Sequence, residues 1–476
     1  MKKLLIILFT ALIMSCNEPP SSQKEISPVY IGGVVKNVKT GIVYLNKDLP
    51  FEVQKIDSAM LDSTGRFVMR LSVNDSDYYL LQAGNEYARL YLIPGDSLNI
   101  FADGLDFDRS LRFGGIGAEV NNYLAQKLVT RYAVQSDFAA MYSLEPASFT
   151  AQTDSVRKSM DEKLLTLAAL QSPADSQFIE KEKSEILYWW AALREEYPNR
   201  HRYLTKNDSL DLPADFYSFR DLLSLNRADL LEIKSYNRYI QKRMNIEAEK
   251  EIEKDTVLMS QDNGFSVARF SVAKQLFTDE QTRNFILTTI LEEQFMYSGV
   301  ENTKEMYEEF NKLCTSEEYR NKIKAIRANW DKIAGGMPAP DFIATDIKGD
   351  TFTLDRFTGK YVYLDIWATW CGPCRQEIPV LEKLQEEFKK ANVVFMSVSV
   401  DENKEAWVKM VTEKKMKGIQ VYTENDWNSV LAKEYYVKSI PRFILIDKQG
   451  NIINANAPRP SGNIREVLKG LEGINS

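Results

Sequence analysis

Two cysteines, Cys371 and Cys374, are separated only by Gly372 and Pro373. This spacing serves three chemistries: half of a metal clip, a structural disulfide, or a pair cycling between dithiol and disulfide. A tetrahedral zinc site draws four ligands from Cys and His. The chain holds 1 histidine, His201, and 4 cysteines, of which Cys16 and Cys314 are remote in sequence. A zinc clip is therefore disfavoured, and no bound cofactor is expected. The cysteines are also too few for a scaffold built on disulfides.

Two acids stand near the pair. Asp365 lies six residues before Cys371 in YLDIWATWC, between Leu364 and Ile366 on an apolar strand. A carboxylate there should be buried and its pKa raised. Glu377 follows Cys374 by three residues, one helical turn on.

The elements that must carry these groups are legible in outline. YVYLDIW reads as a strand, CGPCRQEIPVLEKLQEEFKK as a helix and VVFMSVSV as a buried strand. NKEAWVKMVTEKKM, GIQVYT and WNSVLAKEYY continue the alternation. RFILID and NIINAN form a hairpin, and GNIREVLKGL closes the chain. Alternating strands and helices predict a sheet with helices on both faces, and the hairpin makes that sheet mixed. This α/β region is expected over 335–476, after the break Gly335-Gly336-Met337-Pro338.

Upstream, 29–117 is rich in β-branched and aromatic runs such as VYIGGVV, RFVMRL and SLNIF. Turn signals at DSTG, GN and PGD separate them, which predicts a small antiparallel sandwich or barrel. Residues 118–334 read as an all-α region. Tyr319, Ile323, Ile326, Trp330 and Ile333 form one apolar stripe. Trp189, Trp190 and Cys314 fall on apolar helical faces and are expected in the core. Pro198 and Pro213 should punctuate the helices. A chain of 476 residues is long enough for about three such domains. Its net charge of −7, without basic blocks, argues against a nucleic-acid partner.

The chain opens MKKLLIILFTALIMSC. Lys2 and Lys3 precede an apolar run from Leu4 to Met14, too short to span a bilayer as a helix. Ile13-Met14-Ser15-Cys16 resembles a bacterial lipobox. That resemblance implies a signal peptide over 1–15, cleavage before Cys16, lipidation of Cys16, and a tether over 16–28. The α/β region is then expected in the periplasm, held to a cell-envelope membrane. The compartment is oxidising.

WCGPC after an apolar strand and at the head of a helix resembles the active site of the thioredoxin fold. Residues from Met337 through CGPCRQEIPVLEKL resemble the membrane-tethered thioredoxins of the TlpA/ResA type. KIDSAMLDSTGRFVM and LYLIPGDSLNI resemble a β-domain found ahead of such lipoproteins. The resemblance implies that Cys371 is the nucleophile, Cys374 the resolving thiol, and the two form a redox-active disulfide. Cys371 should cap the helix, partly exposed, where backbone amides and the helix dipole favour its thiolate. Cys374 should lie deeper. Pro441, after Ile440, matches the family's cis-proline opposite the dithiol. Trp370, Gly372, Pro373, Ile440 and Pro441 would then line the substrate groove. Asp365 and Glu377 become candidate proton carriers. Asp365 matches cytoplasmic thioredoxin, whereas many tethered reductases carry a neutral residue there.

Gly-Pro offers no side-chain donor to a thiolate, so the potential should lie toward thioredoxin's, about −270 mV. Reduction of protein disulfides is the favoured direction. It needs a membrane donor that relays electrons from cytoplasmic thioredoxin. Expected substrates are disulfide-bearing exported proteins, apocytochrome c among them. Two alternatives are a peroxiredoxin-like peroxidase and a binding or assembly lipoprotein with a secondary dithiol. The first lacks its Pro-x-x-x-Thr-x-x-Cys frame, because Thr369 stands two residues before Cys371.

Replacing Cys16 with Ser should release a soluble exported form or leave the precursor uncleaved. A Cys16→Ser chain that is still processed and still fractionates with membranes removes the lipobox reading.

Overall fold

The computed structural model describes residues 27–49, 51–170, 176–261 and 263–474. The signal segment, the tether up to residue 26 and Cys16 lie outside the described residues. The chain forms two compact units that divide between Ala214 and Asp215. The division falls inside the helical stretch, so helices up to Thr205 belong to the first unit and later ones to the second.

The first unit begins with eight strands: β1 (Val29–Lys36), β2 (Ile42–Asp48), β3 (Val53–Met60), β4 (Arg66–Leu71), β5 (Asp77–Ala83), β6 (Glu86–Leu92), β7 (Ser97–Asp103) and β8 (Arg112–Ile116). They form two four-stranded sheets, ordered β4-β1-β7-β8 and β3-β2-β5-β6. Period-two patterning decides which side chains turn inward. In β4, Phe67, Met69 and Leu71 are buried while Arg66, Val68 and Arg70 face out. Val29, Ile31, Leu98 and Ile100 meet Val43, Leu45, Leu81 and Leu90 in one core. The expected sandwich is present, but it is not antiparallel throughout: β1 and β7 pair parallel, with Tyr30 opposite Ser97. The chain passes through β5 and β6 in the other sheet before β7 returns beside β1, so no hairpin forces that pair antiparallel.

Helices Ala118–Ser136, Pro146–Ala169 and Ser176–Thr205 complete this unit. Trp189 and Trp190 are buried as expected, and Trp190 Nε1 donates to Asp154. Lys127 pairs with Glu182 in the interior, where Tyr78 also donates to Glu182 at 2.7 Å. Pro198 does not break its helix. It lies within Ser176–Thr205, whose final turns are held by tertiary bonds: Tyr197 Oη donates to Leu144 O, and His201 Nδ1 lies 3.0 Å from Tyr142 O. Those bonds offset the one ladder bond a proline removes.

The second unit combines helices up to Asp331 with a seven-stranded sheet. Its strands are β9 (Ala344–Thr345), β10 (Thr351–Phe352), β11 (Tyr361–Trp367), β12 (Val393–Ser399), β13 (Ile419–Tyr422), β14 (Arg442–Ile446) and β15 (Ile452–Asn454). The order is β10-β9-β13-β12-β11-β14-β15. β11 runs parallel to β12 and antiparallel to β14, so the sheet is mixed as expected. Every residue of β11 is buried, because helices cover both faces of a central strand. The helix Gly372–Glu387 packs Leu381 and Leu384 against Tyr363 and Phe443 on one face.

On the stripe read from the sequence, Ile323, Trp330 and Ile333 are buried. Trp330 lies under the Arg442 guanidinium at 4.3 Å and against Tyr436. The helix Glu317–Asp331 thus helps to cover β14. Trp330→Ala should destabilise this unit by about 3–5 kcal/mol, the usual cost of a large buried aromatic. Denaturant unfolding of wild type and variant checks it, and a loss below about 1 kcal/mol would show that Trp330 packs loosely.

Candidate active site

The site grows from the carboxyl end of β11. After Trp367 the chain turns through Ala368–Cys371, where Cys371 N donates to Ala368 O at 3.1 Å. The helix Gly372–Glu387 starts at once, with Cys371 as its N-cap. Cys371 Sγ accepts the amide of Cys374 at 3.1 Å, which satisfies one of the donors a helix start leaves unpaired. Cys371 and Cys374 are joined by a disulfide, with Cα atoms 5.3 Å apart. Cys371 was expected to be partly exposed and Cys374 deeper. Both are buried, at 4% and 3% exposure. Joined to its partner, the Cys371 sulfur is drawn against the first helical turn, and exposure passes to Pro373 and Trp370.

Asp365 sits on β11 on the same face as Tyr363, hence beneath the helix that carries the cysteines. Its carboxylate accepts Ser397 Oγ from β12 at 3.0 Å. Burial pushes its pKa up to about 7; the Ser397 hydrogen bond opposes the rise, and the charge of Glu377 adds to it. Glu377 is also buried, and Ser461 donates both its amide and its hydroxyl to the Glu377 carboxylate, at 3.0 and 2.7 Å. The loop before the last helix therefore holds Glu377 in place.

The Ile440–Pro441 bond is cis. Arg442, the next residue, pairs with Ile366 on the antiparallel β11–β14 ladder. That register sets Ile440 and Pro441 beside the turn that leads from Trp367 to Cys371. Behind them the Arg442 guanidinium is buried, and Nε donates to Ala455 O at 2.7 Å. Burial lowers its pKa to about 9, and the charge of Glu301 opposes that shift.

Two contributors were not anticipated. Asp401 is buried just past β12 and grips the turn before the cysteines. It accepts Thr369 N at 3.1 and 2.9 Å, Thr369 Oγ1 at 2.6 Å and Ser399 Oγ at 2.6 Å. The available signal was an acid directly ending an apolar strand, in VSVD. Trp427 is the second: its ring lies 6.4 Å from that of Trp370, which is 59% exposed. Among the described residues, no group of three or more His, Cys, Asp or Glu could hold a metal ion.

The raised pKa of Asp365 has a signed consequence. An unfolded aspartate titrates near 3.9, so the folded state binds this proton more firmly. That stabilisation is complete below about pH 4 and is lost as pH rises through about 7. The full shift bounds the loss at roughly 4 kcal/mol. Asp365→Asn keeps an acceptor for Ser397 but has no charge to bury. The melting temperature of the oxidised variant should exceed wild type at pH 8 and match it near pH 4. A difference that does not vary with pH would place the carboxylate in water.

Comparison with known proteins points to the same stretch. Residues 334–469 match the Redoxin family model. The chain is 33% identical over 140 residues to thiol-disulfide oxidoreductase ResA of Bacillus thuringiensis subsp. konkukian, covering 29% of this chain and 79% of that one. It is 35% identical over 120 residues to ResA of Geobacillus kaustophilus, covering 25% of this chain and 67% of that protein. A crystal structure of a thiol-disulfide oxidoreductase from Bacteroides vulgatus is similar at 41% identity, with a TM-score of 0.28, covering 29% of this chain and 96% of the other. With four-fifths of a ResA protein matched at that identity, the chain belongs to the ResA-like family of thioredoxin-fold thiol-disulfide oxidoreductases.

Proposed function

We propose that the chain is an extracytoplasmic, membrane-anchored reductase of protein disulfides. The observation that carries this reading is a cysteine pair bonded across the first turn of a helix, above a buried aspartate that titrates about neutral pH. In the reduced enzyme, the Cys371 thiolate attacks a substrate disulfide. One substrate sulfur leaves as a thiolate, and a mixed disulfide forms on Cys371. Cys374 then loses its proton and attacks Cys371 Sγ. The substrate departs as a dithiol, and the enzyme disulfide remains. Two electrons have passed from enzyme to substrate. A membrane donor fed by cytoplasmic thioredoxin restores the dithiol.

Asp365 takes the Cys374 proton in this scheme. A base is most useful when its pKa lies near the working pH, and the pKa of Asp365, about 7, meets that condition. Glu377 shares the task or sets the charge that Asp365 feels. Trp370, Gly372, Pro373, Ile440 and Pro441 form the groove, where the backbone of Ile440 pairs with a substrate strand. Exported proteins with disulfides, apocytochrome c among them, are the proposed substrates. Attachment is through Cys16; among the described residues no helix is long and apolar enough to cross a membrane. We assign catalysis to 335–476, with the β-rich part 29–117 and the helical part 118–334 as its companions.

Insulin reduction driven by dithiothreitol tests the reading, and Cys371→Ser should abolish it. Cys374→Ala should accumulate mixed disulfides with substrates. In stopped-flow measurements, Asp365→Asn should slow release of the mixed disulfide more than its formation, most strongly near neutral pH. Adding Glu377→Gln should deepen the defect. An unchanged release rate in Asp365→Asn removes that residue from the mechanism.

A further inference from the structure

The sheet β4-β1-β7-β8 turns one face to the core and the other to solvent. Four cations project from the solvent face: Lys36 of β1, Arg66 and Arg70 of β4, and Arg112 of β8. They are scattered in sequence, and only the strand order gathers them. The registers are explicit: Val34 pairs with both Arg66 and Phe101, Phe101 with Arg112, and Tyr30 with Arg70. Between the cations lie apolar groups that a solvated face does not need. Val68 is 71% exposed and Ile116 62%, with Tyr30 and Phe101 also open. Lys36 lies over Phe101, and Arg70 over Tyr30, where Arg70 Nε also donates to the phenol oxygen.

Two acids at the margin offset part of this charge: Asp103 lies opposite Lys36 in the β1–β7 register and feels its charge, and Asp62 feels that of Arg66. Asp103 shares the outward parity, but it ends β7 and accepts Asn37 Nδ2 at 2.8 Å. Asp62 lies in the turn before β4 and accepts the amides of Thr64 and Arg66. In a chain of net charge −7, an outward sheet face carrying four cations among aromatic groups is a local reversal of sign.

The position of this face along the chain says what it meets. β1 forms the middle of the sheet, and it is the first strand after the segment that begins at Cys16. From Cys16 to Val29 the chain can extend at most about 45 Å. We propose that this face rests on the anionic phospholipid headgroups of the membrane to which Cys16 is tethered. The cations meet phosphate charge, while Tyr30, Phe101, Val68 and Ile116 enter the headgroup layer. The proposal rests on the anchoring reading for proximity alone; the face itself is built by β1, β4, β7 and β8.

Sedimentation of the full chain with vesicles tests it. One set is phosphatidylcholine alone, the other contains phosphatidylglycerol. The N-terminal apolar run is the same in every variant, so it cancels in the comparison. Wild type should prefer the anionic vesicles, with the preference falling as salt rises. The triple variant Arg66→Gln/Arg70→Gln/Arg112→Gln should lose that preference by on the order of a hundredfold, each cation near an anionic surface counting for about a factor of five. A charge-matched control on exposed lysines elsewhere, Lys158→Gln/Lys389→Gln/Lys409→Gln, should keep it. An unchanged far-ultraviolet circular dichroism spectrum and unchanged denaturant unfolding show that the mutated sheet is folded in each variant. Tight binding of the triple variant to anionic vesicles, or an equal loss in the control, overturns the proposal. So does a preference for a soluble anionic polysaccharide over the vesicles. A Cys16→Ser chain that stays with membranes would remove the anchor reading and leave this vesicle comparison standing.

Discussion

A carboxylic acid enclosed on the central strand of a sheet is the constraint on which the site depends. β11 has no exposed residue, yet it carries Asp365. Water cannot solvate that charge, so the group must be neutral, hydrogen-bonded, or both. Ser397 on β12 supplies one hydrogen bond, and Glu377 denies the site a second easy negative charge. The result is an acid that changes protonation state where thiol chemistry proceeds, rather than far below it. Its placement follows from alternation: Asp365 shares a face with Tyr363, and the helix carrying Cys371 and Cys374 lies across that face.

Around that acid the site is assembled from chain segments far apart in sequence. Asp401 holds Thr369, and through it the turn into Cys371. Ser461 holds Glu377. β14 brings Pro441 alongside. A helix that precedes the sheet in sequence, Glu317–Asp331, supports the same strand from its other side through Trp330 and Arg442. The first two supports are hydrogen-bonded, and the last is packing of a cation on an aromatic ring. Their common effect is to leave few rearrangements open to the turn that presents the dithiol.

Local features were readable from the sequence, and features made by distant pairing were not. The strand-helix junction at CGPC, the buried character of Asp365 between Leu364 and Ile366, and the core positions of Trp189, Trp190 and Cys314 depend on near neighbours. The proline at 441 could be read because the dithiol upstream gave it a meaning. Asp401 could not, since its partner Thr369 lies on another strand end. The burial of Cys371 depends on its bond to Cys374, which the spacing permits but does not state. Pro198 misled because tertiary bonds at Tyr197 and His201 override a local helix breaker. The parallel pairing of β1 with β7 was hidden for the same reason: periodicity reports which face a residue takes, not which strand lies beside it.

That pairing bears on how the first unit is made. β1 is central in its sheet, and both its neighbours come later in the chain, with β7 the farther. A chain that emerges from its N-terminus therefore presents a strand with both edges unpaired until β4 arrives, and with one edge still open until Ser97 and its successors follow. Closing so long a loop is slow compared with forming a hairpin, and contacts of this kind lengthen folding times. Through that interval the VYIGGVV segment is open to association with other chains. Gly32 and Gly33 lie at its middle, where weak intrinsic strand preference limits premature pairing. Gly33 also admits the late partner: a Cβ there would meet Ile100 O of β7 at 1.9 Å, so glycine is what lets β7 close on β1.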